Sequence, residues 1–159
     1  MEQAPHTESE AQADIPGVTI RAMKLGDYSA VQRLWTEAGL PFRPQGRDRP
    51  DRVAAELERG TAVFLVAEVD GRLAGVVLGT HDGRKGWINR LAVVPAQRRR
   101  GIARLLVCAV ETRLAALGIE ITAALIETPN QASLDFFRAI GYVHGADIEY
   151  VSKRRSPDV

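Results

Sequence analysis

In Val18-Thr19-Ile20-Arg21-Ala22-Met23, apolar and polar positions alternate with the two-residue period of a strand. A helical period follows, with Ala30, Val31, Leu34, Trp35 and Ala38 recurring at helical spacing. Asp27 stands at the expected N-cap, where its carboxylate can accept a bond from an unpaired backbone N–H. Gly39 ends that helix, and Pro41 and Pro44 forbid its continuation. Residues 51–59 read as a second, short helix closed by Gly60. The β-branched run 62–69 reads as a strand. Asp70-Gly71 is a two-residue hairpin signal, and 73–78 its partner strand. After the turn at Asp82-Gly83, residues 87–94 form a further strand stopped by Pro95. Residues 102–117 carry Ile102, Leu105, Leu106, Ala109, Val110, Leu114 and Leu117 on one helical face, capped by Gly118. A strand at 119–126, a helix at 133–140 stopped by Gly141, and two short closing strands at Tyr142-Val143 and 148–151 complete the chain. The order β-α-α-β-β-β-α-β-α-β-β predicts an α/β fold: a mixed, mostly antiparallel central sheet with helices on both faces.

Composition narrows the classes. At 159 residues the chain suits one domain, expected over 17–152, with a disordered tail at 1–16 and a short basic tail at 153–159. Residues 1–14 hold four acidic residues and no Lys or Arg, which excludes a secretory signal there. A single cysteine, Cys108, excludes a disulfide framework and a cysteine-based zinc site, and fits a cytoplasmic setting. His6, His81 and His144 have no metal-ligand spacing, so no metal is expected. No apolar run approaches the roughly 18 residues that span a bilayer. The formal net charge of +1, with no aromatic residues interleaved among the arginines, argues against a nucleic-acid partner. A homodimer stays open.

One segment suggests chemistry. Leu91-Ala92-Val93-Val94-Pro95, then Arg98-Arg99-Arg100-Gly101-Ile102-Ala103, then the long helix make a strand, a tight basic turn and a helix N-terminus. Free N–H groups at such a terminus suit a pyrophosphate. Gly101 lacks a Cβ and lets ligand and backbone come close; Ala103 is small for the same reason. Arg98, Arg99, Arg100 and Arg104 add positive charge. An ordinary strand-to-helix turn with solvated arginines is the alternative. There is no Gly-Lys-Ser/Thr ending and only one glycine, so neither the P-loop nor the dinucleotide fingerprint is met.

Residues 98–103 resemble the pyrophosphate-binding signature of the GNAT acetyltransferases, Arg/Gln-x-x-Gly-x-Gly/Ala. Asn130, Ser133, Phe136, Phe137, Gly141 and Tyr142 are similar to that family's second motif. The resemblance spans roughly residues 17–152. It implies the GNAT fold and an acetyl-CoA site in which Leu91, Ala92 and Val93 offer backbone groups to the pantetheine arm. It further implies that the backbone of Arg99, Arg100, Gly101, Ile102, Ala103 and Arg104 holds the pyrophosphate, beside Arg98, and that Asn130, Ser133 and Phe137 adjoin the donor. A backbone N–H near Val93 would polarise the thioester carbonyl. An amine acceptor and an N-acetyltransferase reaction follow.

Two departures stand out. The family often places a tyrosine, as general acid, where this chain has Phe137. Some relatives carry a glutamate where this chain has Leu125. Glu127, two residues on and on the same face of a strand, is the first candidate for general base. His81 is the second, and Asn89 could position a water. Each also reads as an ordinary surface or turn residue. Cys108, off the apolar helix face and without a neighbouring base, is not a nucleophile candidate. Arg43, Arg47 and Arg49 lie in the loop 41–50, which the fold implied by the resemblance sets beside the acceptor. They could bind a carboxylate or phosphate there. A CoA-binding sensor or regulatory module with little catalysis is the competing function.

Overall fold

The computed structural model describes residues 14–157. All but the last three residues of the tail expected at 1–16 lie outside the described residues, as does His6. Residues 153–157 hold neither helix nor strand.

Among the described residues five strands form one sheet in chain order: β1 (Val18–Ala22), β2 (Ala62–Val69), β3 (Arg72–His81), β4 (Gly86–Val93) and β5 (Thr122–Ala124). The first four pair antiparallel, and β5 joins β4 in parallel. The parallel step needs a crossover, supplied by helix α3 (Ile102–Ala116). Helices α1 (Tyr28–Ala38) and α2 (Pro50–Glu58) fill the chain between β1 and β2, and α4 (Gln131–Ala139) follows β5. At the hairpin from β2 to β3, Asp70 and Gly71 have φ of 51° and 72°, the left-handed pair that suits the twist of antiparallel strands.

Helix α3 sits close to the sheet because three glycines lie beneath it. A Cβ at Gly75 would fall 2.9 Å from Leu106 Cδ1, at Gly79 2.7 Å from Val110 Cγ1, and at Gly86 2.5 Å from Leu114 Cδ1. Leu106, Val110 and Leu114 are one helical ridge, each fully buried. Trp35, Val31 and Leu34 of α1 are buried likewise, with α1 against β3 and β4. This packing fixes where the N-terminus of α3 points relative to the end of β4.

Four expectations need correction. Asp27 precedes α1, but its carboxylate does not cap that helix: Arg21 donates to both its oxygens at 2.7 and 2.9 Å, and Lys24 N donates at 2.8 Å, closing the 3-10 turn before α1 instead. Strand β3 runs on to His81 because its register with β4 continues to the pair His81↔Gly86. β5 is three residues, not eight, because only Thr122 to Ala124 find partners on β4. The two closing strands are absent. Val143 is 93% exposed, Ile148 74% and Val151 88%, and no described strand offers them a ladder. Alternating apolar residues make a strand only where a partner edge exists.

Candidate active site

Strands β4 and β5 pair at Gly86↔Thr122, Trp87↔Ala123 and Ile88↔Ala124, then part. From Asn89 to Val93, β4 has β3 on one side and, among the described residues, no strand on the other. That edge offers free peptide groups to an extended amide-bearing ligand. Leu91, Ala92 and Val93 lie along it, with the Val93 carbonyl already accepting from Arg98 Nε. The β3 register also slips here. Val76 faces Ala92 and Leu78 faces Asn89, so Arg90 and Leu91 together oppose Val77. Two residues against one make a β-bulge, and Arg90 takes φ = 54° within it. A non-glycine residue in that region is held by its surroundings.

The anchors of Arg90 are visible. Its guanidinium donates to Asp48 Oδ1 and Oδ2 at 2.8 and 2.6 Å and to the carbonyl of Pro41. It lies 5.4 Å from the centroid of the Trp35 ring. Asp48 is 6% exposed and also accepts from Arg43 N at 2.6 Å, while Tyr28 OH donates to its carbonyl. Burial pulls the Arg90 guanidinium below its ordinary value, and the Asp48 charge opposes that pull most strongly. The loop between α1 and α2 is thus pinned to the bulge of β4. Composition alone did not reveal this pair; an arginine inside a largely apolar strand was its only sign.

Beyond β4, a short 3-10 turn at Pro95–Gln97 leads to Gly101, the N-cap of α3, at φ = 82°. Arg99, at φ = 61°, precedes it. Among the described residues no side chain caps α3, and the first intrahelical bond runs from Leu105 N to Gly101 O. The N–H groups of Ile102, Ala103 and Arg104 therefore precede the helical ladder, at the positive end of a 15-residue helix. The arginines divide. Arg98 is spent on structure, donating to Val93 O and Ala38 O at 3.0 Å each. Arg100 bonds Gln97, Arg104 is engaged, and Arg99 is exposed.

The candidates at the reacting centre do not all gather. Glu127 lies beyond the end of β5, so strand alternation does not place it with Leu125. It lines a cavity of about 430 Å³ with Pro41, Arg43, Arg47, Tyr150 and Arg154, and its charge is felt at Arg90. Asn89 sits on β4 just past the last β5 pair. His81 is at the opposite end of β4, roughly 25 Å from Val93. Both its ring nitrogens are engaged, Nδ1 accepting from Gly83 N of the following turn at 3.2 Å and Nε2 lying 3.1 Å from Gly60 O in the connection between α2 and β2.

On α4, Asn130 is the N-cap, its side chain accepting from Ser133 N at 3.1 Å. Phe137 is 7% exposed and packs edge-on against Phe136 and Tyr142, with centroids at 5.2 and 4.9 Å. Its ring belongs to the core cluster. Tyr142 donates to Glu111 Oε1 at 2.6 Å, and burial pushes its phenol well above the usual range. Burial also raises the half-buried Cys108 thiol.

Residues 29–142 match the acetyltransferase (GNAT) family. Solved structures share the fold at low identity. AAC(6')-Iy in complex with the bisubstrate analog CoA-S-monomethyl-acetylneamine aligns with a TM-score of 0.73 at 20% identity, over 86% of this chain and 98% of the other. The aminoglycoside 6'-N-acetyltransferase AAC(6')-Ih from Acinetobacter baumannii gives 0.72 at 19%, over 88% and 100%. The ribosomal-protein-S18-alanine N-acetyltransferase from Escherichia coli gives 0.66 at 17%, over 78% and 76%.

Proposed function

This chain belongs to the GNAT family of acetyltransferases, and we propose that it moves the acetyl group of acetyl-CoA onto a primary amine. The parting of β4 and β5 beside the uncapped N-terminus of α3 carries the reading. The residues present fit the donor. The free edge from Asn89 to Val93 suits the pantetheine amides, and the backbone of residues 99–104 suits the pyrophosphate. A Cβ at Gly101 would meet Ile15 Cδ1 at 3.1 Å, and its φ of 82° strains any side chain there. Asn130 and Ser133, at the start of α4, would border the arm. Phe137 adjoins it only from within the core.

When bound, acetyl-CoA supplies an activated acyl carbon and a leaving thiol whose ordinary pKa is about 8.5. Glu127 takes the proton that the amine gives up, directly or through a water held at Asn89, as the N–C bond forms and the C–S bond breaks. The sulfur departs with the bonding pair and is protonated by solvent, because residue 137 has no hydroxyl. N–H groups along the free edge of β4 hold the carbonyl oxygen. His81 has no part in this scheme. A cytoplasmic setting suits the unpaired Cys108.

The test is calorimetry with acetyl-CoA followed by thiol release in the presence of amines. Binding together with amine-dependent release supports the reading. The absence of a hydroxyl at residue 137 favours the sensor alternative, and binding without release under any amine would select it.

A further inference from the structure

We infer that the cavity formed by the α1–α2 loop, Glu127 and the C-terminal segment receives an acceptor carrying an oxyanion group, a carboxylate or a phosphate, beside the amine to be acylated. The inference rests on the acyltransferase reading above and adds the chemical class of its substrate. Four observations carry it.

The first is place. Pro41 and Arg43 belong to the loop that Arg90 and Asp48 tie to the bulge of β4, so the cavity adjoins the free edge of that strand. Its volume of about 430 Å³ suits a small molecule. The second is charge. Arg43, Arg47 and Arg154 line the cavity against one carboxylate, Glu127. A polycation would meet three guanidinium groups there, whereas an oxyanion would be drawn to them.

The third is availability. Among the described residues the fold already employs Arg21, Arg49, Arg90 and Arg98: Arg49 pairs with Asp51 at 2.6 Å, and the others hold carboxylates or carbonyls. The side chains of Arg43, Arg47 and Arg154 have no such partner among the described residues. This replaces part of the sequence expectation. Arg49 leaves the trio and Arg154, from the C-terminal tail, enters it. The fourth is polarity within the site. Glu127 is the one acidic lining residue among the described residues, which gives the acceptor a direction, ammonium toward Glu127 and oxyanion toward the arginines.

The experiment compares matched acceptors: an α-amino acid with its carboxamide, an aminoalkyl phosphate with its aminoalcohol, and spermidine as polycation. Turnover is read by thiol release, and binding by calorimetry on the CoA-loaded protein. We expect at least one anionic member to exceed its neutral counterpart by about 10-fold in kcat/KM, three weak exposed pairs acting together. The pair that shows the preference distinguishes carboxylate from phosphate. The variant R43Q/R47Q/R154Q should lose most of that ratio through acceptor KM and acceptor affinity while keeping the Kd for acetyl-CoA, which also reports its folding. Spermidine or the neutral partners performing as well as the anions, no binding of any anionic amine, or an undiminished ratio in the triple variant would overturn the inference. Failure of the wild-type protein to bind acetyl-CoA would instead overturn the acyltransferase reading.

Discussion

Gly101 and Arg90, both with left-handed backbone, frame the candidate site, and only the first was visible in advance. Gly101 was legible because a glycine between a basic turn and an amphipathic helix has few other uses, and its φ of 82° agrees. The conformation dictates the test. Any side chain there is strained, so Gly101→Asp should be compared with Gly101→Asn, which tolerates this region equally well. We expect both to fold, and the aspartate to weaken acetyl-CoA binding by at least about tenfold relative to the asparagine, roughly 1.4 kcal/mol. Equal dissociation constants by calorimetry would remove the pyrophosphate from this turn. Arg90 was not legible, because its partner Asp48 lies 42 residues away in a loop that read simply as basic. Removing one member leaves the other charge buried. Arg90→Met should therefore cost about 3–5 kcal/mol in urea denaturation, and Arg90→Met with Asp48→Leu should cost less than the sum of the two single changes. Additive losses would mean that the pair is not coupled.

Among elements, those with their own period were read well. α1, β2 and α3 appear where the pattern put them, because each buries a face that its residues alone specify. β5 and the closing strands were not, since a strand also needs a partner edge, which local sequence does not encode. The junction of β1, α1 and β2 shows a similar redirection. Arg21 on β1 holds Asp27 at 2.7 Å and Glu68 of β2 at 2.7 Å, so the supposed cap became an ion-pair link between elements. The Arg21 hydrogen bonds hold the Asp27 carboxyl below its ordinary value, with the Lys24 N–H adding to them. A carboxyl depressed in the folded state adds stability that is complete above its unfolded pKa and vanishes as pH falls through the folded one. We expect Arg21→Gln to lower stability by about 1 kcal/mol at neutral pH. The gap from wild type should stay constant above about pH 5 and close below about pH 4. A gap independent of pH down to acid unfolding would show that the link acts by packing alone.

For the molecule as a whole, the core and the cavity proposed for the acceptor end at different points of the chain. The buried cluster includes Phe137, with Tyr142 packed against it, and takes in nothing later among the described residues. Beyond Tyr142 the large apolar residues face solvent: Val143, Ile148, Tyr150 and Val151. Buried apolar area is the main stabilising quantity, and this segment adds little of it. Yet Tyr150 and Arg154 line the cavity with Glu127. On the proposed reading the C-terminal segment shapes specificity without supporting the fold, a division common for segments carried on a rigid scaffold. A chain truncated after Val143 should unfold cooperatively, within about 1 kcal/mol of the full chain, the range of surface changes that disturb no core contact. It should bind acetyl-CoA unchanged, since neither the parted strands nor the α3 terminus is touched. Its acceptor KM should rise, and its discrimination between an anionic amine and the neutral counterpart should fall, because Arg154 is gone while Arg43 and Arg47 remain. The result should lie between wild type and R43Q/R47Q/R154Q. Loss of cooperative unfolding would make the segment part of the core. Unchanged discrimination in a folded truncation would place acceptor recognition on the α1–α2 loop alone.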